Sequence, residues 1–252
     1  SHPRAFTMFR DKMPQSPISL MLFAAGFGSR MAPLTDHRPK PLLEVAGRTL
    51  LDHALDQTRG FNFEKRVVNV HYLAAQIINH LKSEPALQIS HEKEALLETG
   101  GGLRAALGLL GPWPVLTLNT DAVWLGQNPI AALLSAWQPD RMDALLLLGP
   151  LAAARGHSGF SDFALNAAGQ IKRDKSTTGL LYLGAQIIKT DMLLTIDAQK
   201  FSLNLLWDQM IDQGRAFGFT YAGDWCDVGR PQNIDLATAL LKAKYARNRP
   251  NV

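Results

Sequence analysis

Cysteine is almost missing from this chain of 252 residues, where Cys226 stands alone. A single thiol excludes an intramolecular disulfide framework and suits a reducing compartment, so a cytoplasmic location is expected. Long uncharged apolar runs are missing too, which argues against a membrane span. Residues 1–17 (SHPRAFTMFRDKMPQSP) lack the apolar core of a secretory signal; with Ser-His ahead of Met8 and Met13 they read as a disordered tail or an expression remnant outside the fold. A basic body is also lacking. The net charge is +4, but residues 1–17 contribute +2 and residues 241–252 contribute +4, which leaves −2 for everything between. With neither a basic face nor stacking aromatics on the body, a nucleic-acid partner is not expected.

Two glycine signatures are absent as well. No G-x-x-x-x-G-K-[ST] string occurs, which excludes a P-loop. In the turn after the first apolar strand, Gly26 and Gly28 are followed by Met31 where a dinucleotide-binding turn needs its third glycine, and that bulk blocks the close helix–strand packing such a turn requires.

What is present is a chain 46% hydrophobic, enough for one substantial core with a small lobe. Apolar strands alternate with helical periods. Strands are predicted at Ile18–Ala24, Arg66–Val70, Leu87–Ser90, Val115–Asn119 and Ala144–Leu148. Helices are predicted at Thr49–Arg59, Leu73–Leu81, from about Gly102, and across Ile130–Trp137. That alternation implies right-handed crossovers and an α/β, doubly wound, mainly parallel sheet flanked by helices. From His157 to Lys175 the texture turns polar and turn-rich, predicting a small antiparallel lobe; strand Gly179–Ile188, helix Leu203–Ile211 and helix Gln232–Lys244 follow. The expected organisation is a single domain over 18–245, with a nucleotide-binding part at about 18–150, a lobe at about 151–228 and a tail at 246–252.

The stretch FAAGFGSRMAPLTDHRPKPLLEVAG, Phe23 to Gly47, reads as a nucleoside-triphosphate grip. Gly26 and Gly28 let main-chain N–H groups approach phosphate oxygens. Arg30 offers a planar fork and Lys40 a point charge, in a loop stiffened by Pro33, Pro39 and Pro41. The three glycines Gly100, Gly101 and Gly102 after Glu98 and Thr99 are expected to precede a helix, with backbone groups free for a nucleobase or a phosphate. Asp121 follows strand VLTLN, and Asp227 lies in Trp225-Cys226-Asp227-Val228-Gly229. Two carboxylates brought to one cleft can hold Mg²⁺ together with phosphate oxygens; read alone, each is more commonly a helix cap or a turn residue. Cys226 reads as a packed small hydrophobe.

Ala24, Ala25, Gly26, Gly28, Arg30, Met31, Pro33, Leu34, Thr35, Pro39, Lys40, Pro41 and Leu42 fit the pattern A-[AG]-G-x-G-x-R-[ML]-x-P-L-T … P-K-P-L. In this the chain resembles the sugar-1-phosphate nucleotidylyltransferases. Its E-T-G-G-G string, Asn69–His71 and Phe160–Phe163 are most similar to N-acetylmuramate 1-phosphate uridylyltransferases and mannose-1-phosphate guanylyltransferase-like enzymes. The resemblance implies catalytic roles for Arg30, Lys40, Asp121 and Asp227, with Asp121 and Asp227 as Mg²⁺ ligands. It implies nucleotide binding by Ala24, Ala25, Gly26, Gly28, Arg30, Lys40, Glu98, Gly101 and Gly102, and sugar binding by Asn119, Asp162 and Lys175. The implied reaction is transfer of a nucleotidyl group from an NTP, UTP ahead of GTP, to a sugar 1-phosphate such as N-acetylmuramate 1-phosphate in cell-wall precursor recycling, with release of pyrophosphate. Alternatives are guanylyl transfer to mannose 1-phosphate, transfer to another phosphorylated alcohol, and a non-catalytic sugar-nucleotide sensor on the same fold. Two departures stand out: Thr120 occupies the place where the family commonly has glycine, and this is the sensor's only support; Lys172, Arg173 and Lys175 lack the family's E-K-P context.

Overall fold

The protein is described from a computed structural model over residues 16–84 and 86–249; residues 1–15 of the N-terminal tail expected over 1–17, and residues 250–252, lie outside the described residues. The first strand, Ser19–Phe23 (β1), is apolar along most of its length because both of its faces are covered. A short hairpin, Glu44–Val45 (β2) and Arg48–Thr49 (β3), leads into helix Leu50–Thr58 (α1). Thr49 caps that helix, its Oγ1 accepting from Asp52 N at 3.0 Å. Next come Arg66–Val70 (β4), Ala74–His80 (α2), Gln88–His91 (β5), Glu98–Ala105 (α3), Leu107–Leu110 (α4), Val115–Asn119 (β6) and Ala122–Trp124 (β7). Asn128 caps Pro129–Ala136 (α5), accepting from the N–H groups of Ile130 and Ala131, with proline at the first turn. The rest of the chain forms Ala144–Pro150 (β8), Ala154–Arg155 (β9), Phe163–Leu165 (β10), Ile171–Arg173 (β11), Leu180–Ile188 (β12), Asn204–Asp212 (α6), Ala216–Thr220 (β13), Trp225–Asp227 (β14) and Gln232–Arg247 (α7).

The main sheet runs β5-β4-β1-β6-β12-β8-β13, with β4, β1, β6 and β5 parallel and β12 antiparallel to both β6 and β8. The sheet is therefore largely parallel and helix-covered, as the alternation predicts. Residues that alternate along each strand feed opposite faces. Leu20, Leu22, Val68, Leu116 and Leu118 pack against α1, α2 and α5, while Met21, Val67 and Val115 pack against α3, α4 and α6. A third cluster joins α7 to the small sheet β7-β14-β9 through Val123, Cys226, Val228, Ala237 and Leu241.

The antiparallel excursion expected after Pro150 is present as the β10–β11 hairpin, but it continues the main sheet: β10 pairs β12, and β12 itself lies inside the sheet. The tail expected from residue 246 is partly helical, since α7 extends to Arg247. The glycine triplet lies inside α3 and does not precede it. Among the described residues no helix is long and apolar enough to cross a membrane.

A shift in pairing between Tyr182 and Gln186 bends β12 where Gly184 takes φ +80°, and a Cβ on Gly184 would lie 2.9 to 3.2 Å from the Asn119 side chain. Gly184→Ala should therefore lose about 1–3 kcal/mol of stability in urea unfolding, with an unchanged slope. An unaltered midpoint would contradict this account of the bend.

Candidate active site

Pairing of β1 with β6 sets Phe23 beside Asn119, so the two chains leave the carboxyl edge of the sheet side by side. Ala24 and Thr120 follow at once. The loop after Phe23 is fixed from several directions. Ala24 N donates to Asn69 Oδ1 at 2.8 Å, Thr35 Oγ1 donates to Gly28 O at 2.8 Å, and Tyr72 Oη donates to Thr35 O. Gly28 sits at φ +64°, where a Cβ would come within 3.0 Å of Lys40 Cβ and 3.1 Å of Thr35 Cγ2. Glycine here serves both the left-handed turn and the close approach of Lys40. Met31, the residue that breaks the dinucleotide signature, is fully buried beside Leu43, Val45, Cys226 and Val228 and anchors the loop from below.

Lys40 Nζ lies 3.4 Å from Asp121 Oδ2, the lysine side chain 13% exposed and the aspartate 43%. Asp227 reaches the same place through the small sheet: it pairs with Ala122, and Val228 N donates to Asp121 O at 2.9 Å. Burial, and then the neighbouring Asp121 carboxylate, push the Asp227 carboxyl above its ordinary range, while Lys40, Arg30 and His157 pull it back. A Cβ on Gly229 would stand 3.0 Å from Asp227 Oδ1 and 3.4 Å from Arg30 Nη2, so this glycine lets the guanidinium and the carboxylate share one corner. Burial and then Asp227 raise the Cys226 thiol to about 11, which keeps it protonated and unfit as a nucleophile at neutral pH.

A cavity of about 480 Å³ opens over this edge, within the size range of small-molecule sites. Ala24, Ala25, Gly26, Gly28, Arg30, Lys40, Glu98, Asn119 and Asp121 all line it. Asp227 is not among the lining residues, but Gly229, whose Cα faces its carboxylate, is. The structure does not bring Gly101 and Gly102 to the cavity. The N–H groups of Gly100 and Gly101 both donate to Phe201 O, at 2.9 and 3.1 Å, and a Cβ at Gly101 would lie 2.6 Å from Gln199 O. The triplet is a packing device that lets α3 press against residues 199–201. In its place Leu96, Glu98 and Thr99 present the wall.

Asp162 and Lys175 do not line the cavity either. The Asp162 carboxylate accepts from Tyr182 N at 2.9 Å, holding the hairpin to β12, and Lys175 is exposed with its Nζ 5.9 Å from the Phe160 ring centre. Thr120 donates its hydroxyl to Phe23 O at 2.7 Å, tying the two strand ends and leaving Asp121 facing Lys40. Sequence reasoning missed Asn69 and Thr99 on the lining and Gly229 at the charged corner. Gly229 could have been found as the glycine that follows the second aspartate in the W-C-D-V-G string.

Residues 20–156 match the family model of the MobA-like NTP transferase domain. The chain is 40% identical over 239 residues to the N-acetylmuramate alpha-1-phosphate uridylyltransferase of Caulobacter vibrioides, covering 91% of this chain and 99% of the relative. It is 32% identical to the enzyme of the same name from Neisseria meningitidis, over 88% of this chain and 98% of the relative. A UDP-glucose pyrophosphorylase solved with UDP-glucose superimposes with a TM-score of 0.74 at 16% identity, over 92% of this chain and all of that one, a likeness of fold.

A carboxyl raised in the folded state adds stability only while it is protonated, and that contribution is lost as pH rises through the folded value. Ionised Asp227 therefore destabilises the metal-free protein at neutral pH. Asp227→Asn should melt at a higher temperature than the parent protein at pH 8 without divalent cations, with the gap closing towards pH 4. A lower melting temperature for the variant at pH 8 would contradict the penalty that burial and the neighbouring Asp121 place on an ionised Asp227.

Proposed function

The chain belongs to the family of MobA-like NTP transferase domains, and from that premise we propose that this sugar-1-phosphate nucleotidyltransferase uses UTP as donor and N-acetylmuramate 1-phosphate as acceptor, with Mg²⁺. The observation that carries the reading is the convergence of Arg30, Lys40 and Asp121 on one strand-edge cavity, with Asp227 interacting with all three beside Gly229. The chain spans nearly the whole length of two relatives named for that reaction.

An oxygen of the sugar 1-phosphate attacks the α-phosphorus in line, a P–O bond forms, the bond to the β-phosphate bridge breaks, and pyrophosphate leaves with the electron pair. Little is left for side chains to do covalently, so the residues act by alignment and charge neutralisation. The glycine loop turns backbone N–H groups towards the phosphates. Arg30, held beside Gly229, binds the departing pyrophosphate through its planar fork. Lys40, buried along its stem and aimed across the cleft, neutralises charge at the α-phosphate and the acceptor phosphate.

The donor set fits Mg²⁺. Asp121 and Asp227 supply hard carboxylate oxygens, their mutual repulsion is what a small dication relieves, and among the described residues no cluster of three or more His, Cys, Asp or Glu side chains offers a full protein cage. Mg²⁺ takes one or two carboxylates and completes its shell with water and phosphate oxygens. Bound there, it would supply charge to the reacting phosphates and orient them. The sensor alternative rested on Thr120, and a hydroxyl engaged by Phe23 O leaves the four charged residues in place.

Pyrophosphate release by the purified protein with Mg²⁺, over UTP, GTP, CTP and dTTP against N-acetylmuramate 1-phosphate and mannose 1-phosphate, tests the reading. Release is expected only with UTP and N-acetylmuramate 1-phosphate together. Release that prefers GTP and mannose 1-phosphate would replace this pair, and silence across the panel would return weight to another acceptor. Arg30→Ala and Asp121→Asn should each lower kcat by about 10²–10³ while the protein still melts cooperatively; near-normal turnover would remove the residue concerned from the mechanism.

A further inference from the structure

Behind the cavity, two buried polar side chains connect its opposite walls. Asn69, 3% exposed, lies on β4 and lines the cavity; Glu92, 5% exposed, follows β5 directly. The backbone of Glu92 is held at both ends, its N–H donating to Val70 O at 2.9 Å and its O lying 2.6 Å from His71 Nδ1. Its carboxylate reaches two ways: Oε2 accepts from Asn69 Nδ2 at 2.8 Å, and Oε1 accepts from Leu97 N at 3.0 Å. Asn69 in turn accepts from Ala24 N at 2.8 Å. An unbroken chain of hydrogen bonds therefore runs from the glycine loop at Ala24 to the turn that presents Leu96, Glu98 and Thr99.

The chemistry of the chain is directional. Asn69 must turn its oxygen to Ala24 and its amide to Glu92, and residue 92 must accept at both ends. A carboxylate meets that demand with both oxygens, whereas an amide meets it with only one. Among the described residues Glu92 enters no ion pair, and a buried carboxylate without a cation is costly unless its hydrogen bonds are complete. Gly102 belongs to the same device, since a Cβ there would lie 2.9 Å from Asn69 Nδ2 and 3.0 Å from Glu92 Oε2.

We propose that Asn69 and Glu92 are positioning residues that hold the phosphate-binding loop and the Leu96–Thr99 wall at a fixed separation, so that the nucleotide meets both walls without reordering either. This rests on the reading of the cavity as a nucleotide site. The pair touches neither Lys40 nor Asp121, so it governs donor affinity more than the chemical step.

Glu92→Gln keeps size and shape but sets a donor against a donor in either orientation. Glu92 contacts Leu97 directly and Ala24 only through Asn69, so amide hydrogen exchange in the ligand-free protein separates a relay from a local contact. Exchange should quicken about tenfold at both Leu97 and Ala24, with KM for UTP rising by a similar factor and kcat changing less than about threefold. In the double variant Asn69→Asp/Glu92→Gln the bond polarity reverses and every donor regains an acceptor, so exchange at both amides should return towards the parent rates. Should Glu92→Gln fail to fold, Gly102→Ala presses on the pair without altering a donor and should quicken both amides. Faster exchange at Leu97 alone, additive effects in the double variant, or an unchanged KM for UTP with both amides loosened would overturn the proposal. Because exchange is read without ligand, it judges the relay even if the donor proves not to be UTP.

Discussion

The parallel register that places Phe23 beside Asn119 decides where every charged group of the cleft ends up. It brings the glycine loop and the Thr120–Asp121 turn off the same edge of the sheet, which is where ligands of open α/β sheets bind. Thr120 then ties the two strand ends through Phe23 O, and Met31 secures the loop in the core below. The core depends on the same pairing, because the alternation that sends Leu20 and Leu22 to one helical layer and Met21 to the other holds only while β1 lies between β4 and β6.

On that frame the site concentrates opposing charges. Lys40 and Asp121 face each other at 3.4 Å, and Asp227, delivered by a separate three-stranded sheet, holds its proton more tightly than usual because it is buried and, after that, because Asp121 is its neighbour. The arrangement leaves cations and carboxylates side by side at the mouth of one cavity.

Much of this was legible in the chain itself, for physical reasons. The strands VLTLN and RVVNV were readable because burial on both faces leaves short segments rich in Val and Leu, and the charged loop because its cations and prolines keep fixed spacing around a glycine turn. What escaped reading depended on partners remote in sequence. Gly101 and Gly102 have the composition of a ligand cradle, yet Phe201, Gln199, Asn69 and Glu92 take the space beside them. Asp162 is absent from the cavity lining and its carboxylate accepts from Tyr182 N, a partner on β12, and Lys175, which follows β11, does not line the cavity either. Glu92 carries no local signal at all, since an acid between polar neighbours reads as surface until the fold buries it.

The central claim is that one dication and one triphosphate share the cleft between Asp121, Asp227, Arg30 and Lys40. A crystal structure of the protein with Mn²⁺ and a UTP analogue that resists cleavage at the α-phosphorus, with the metal located by its anomalous signal, tests this most directly. The account predicts Mn²⁺ within coordination distance of carboxylate oxygens from both Asp121 and Asp227, with the triphosphate against the glycine loop. A metal held away from both aspartates, or a nucleotide seated outside this cavity, would contradict it.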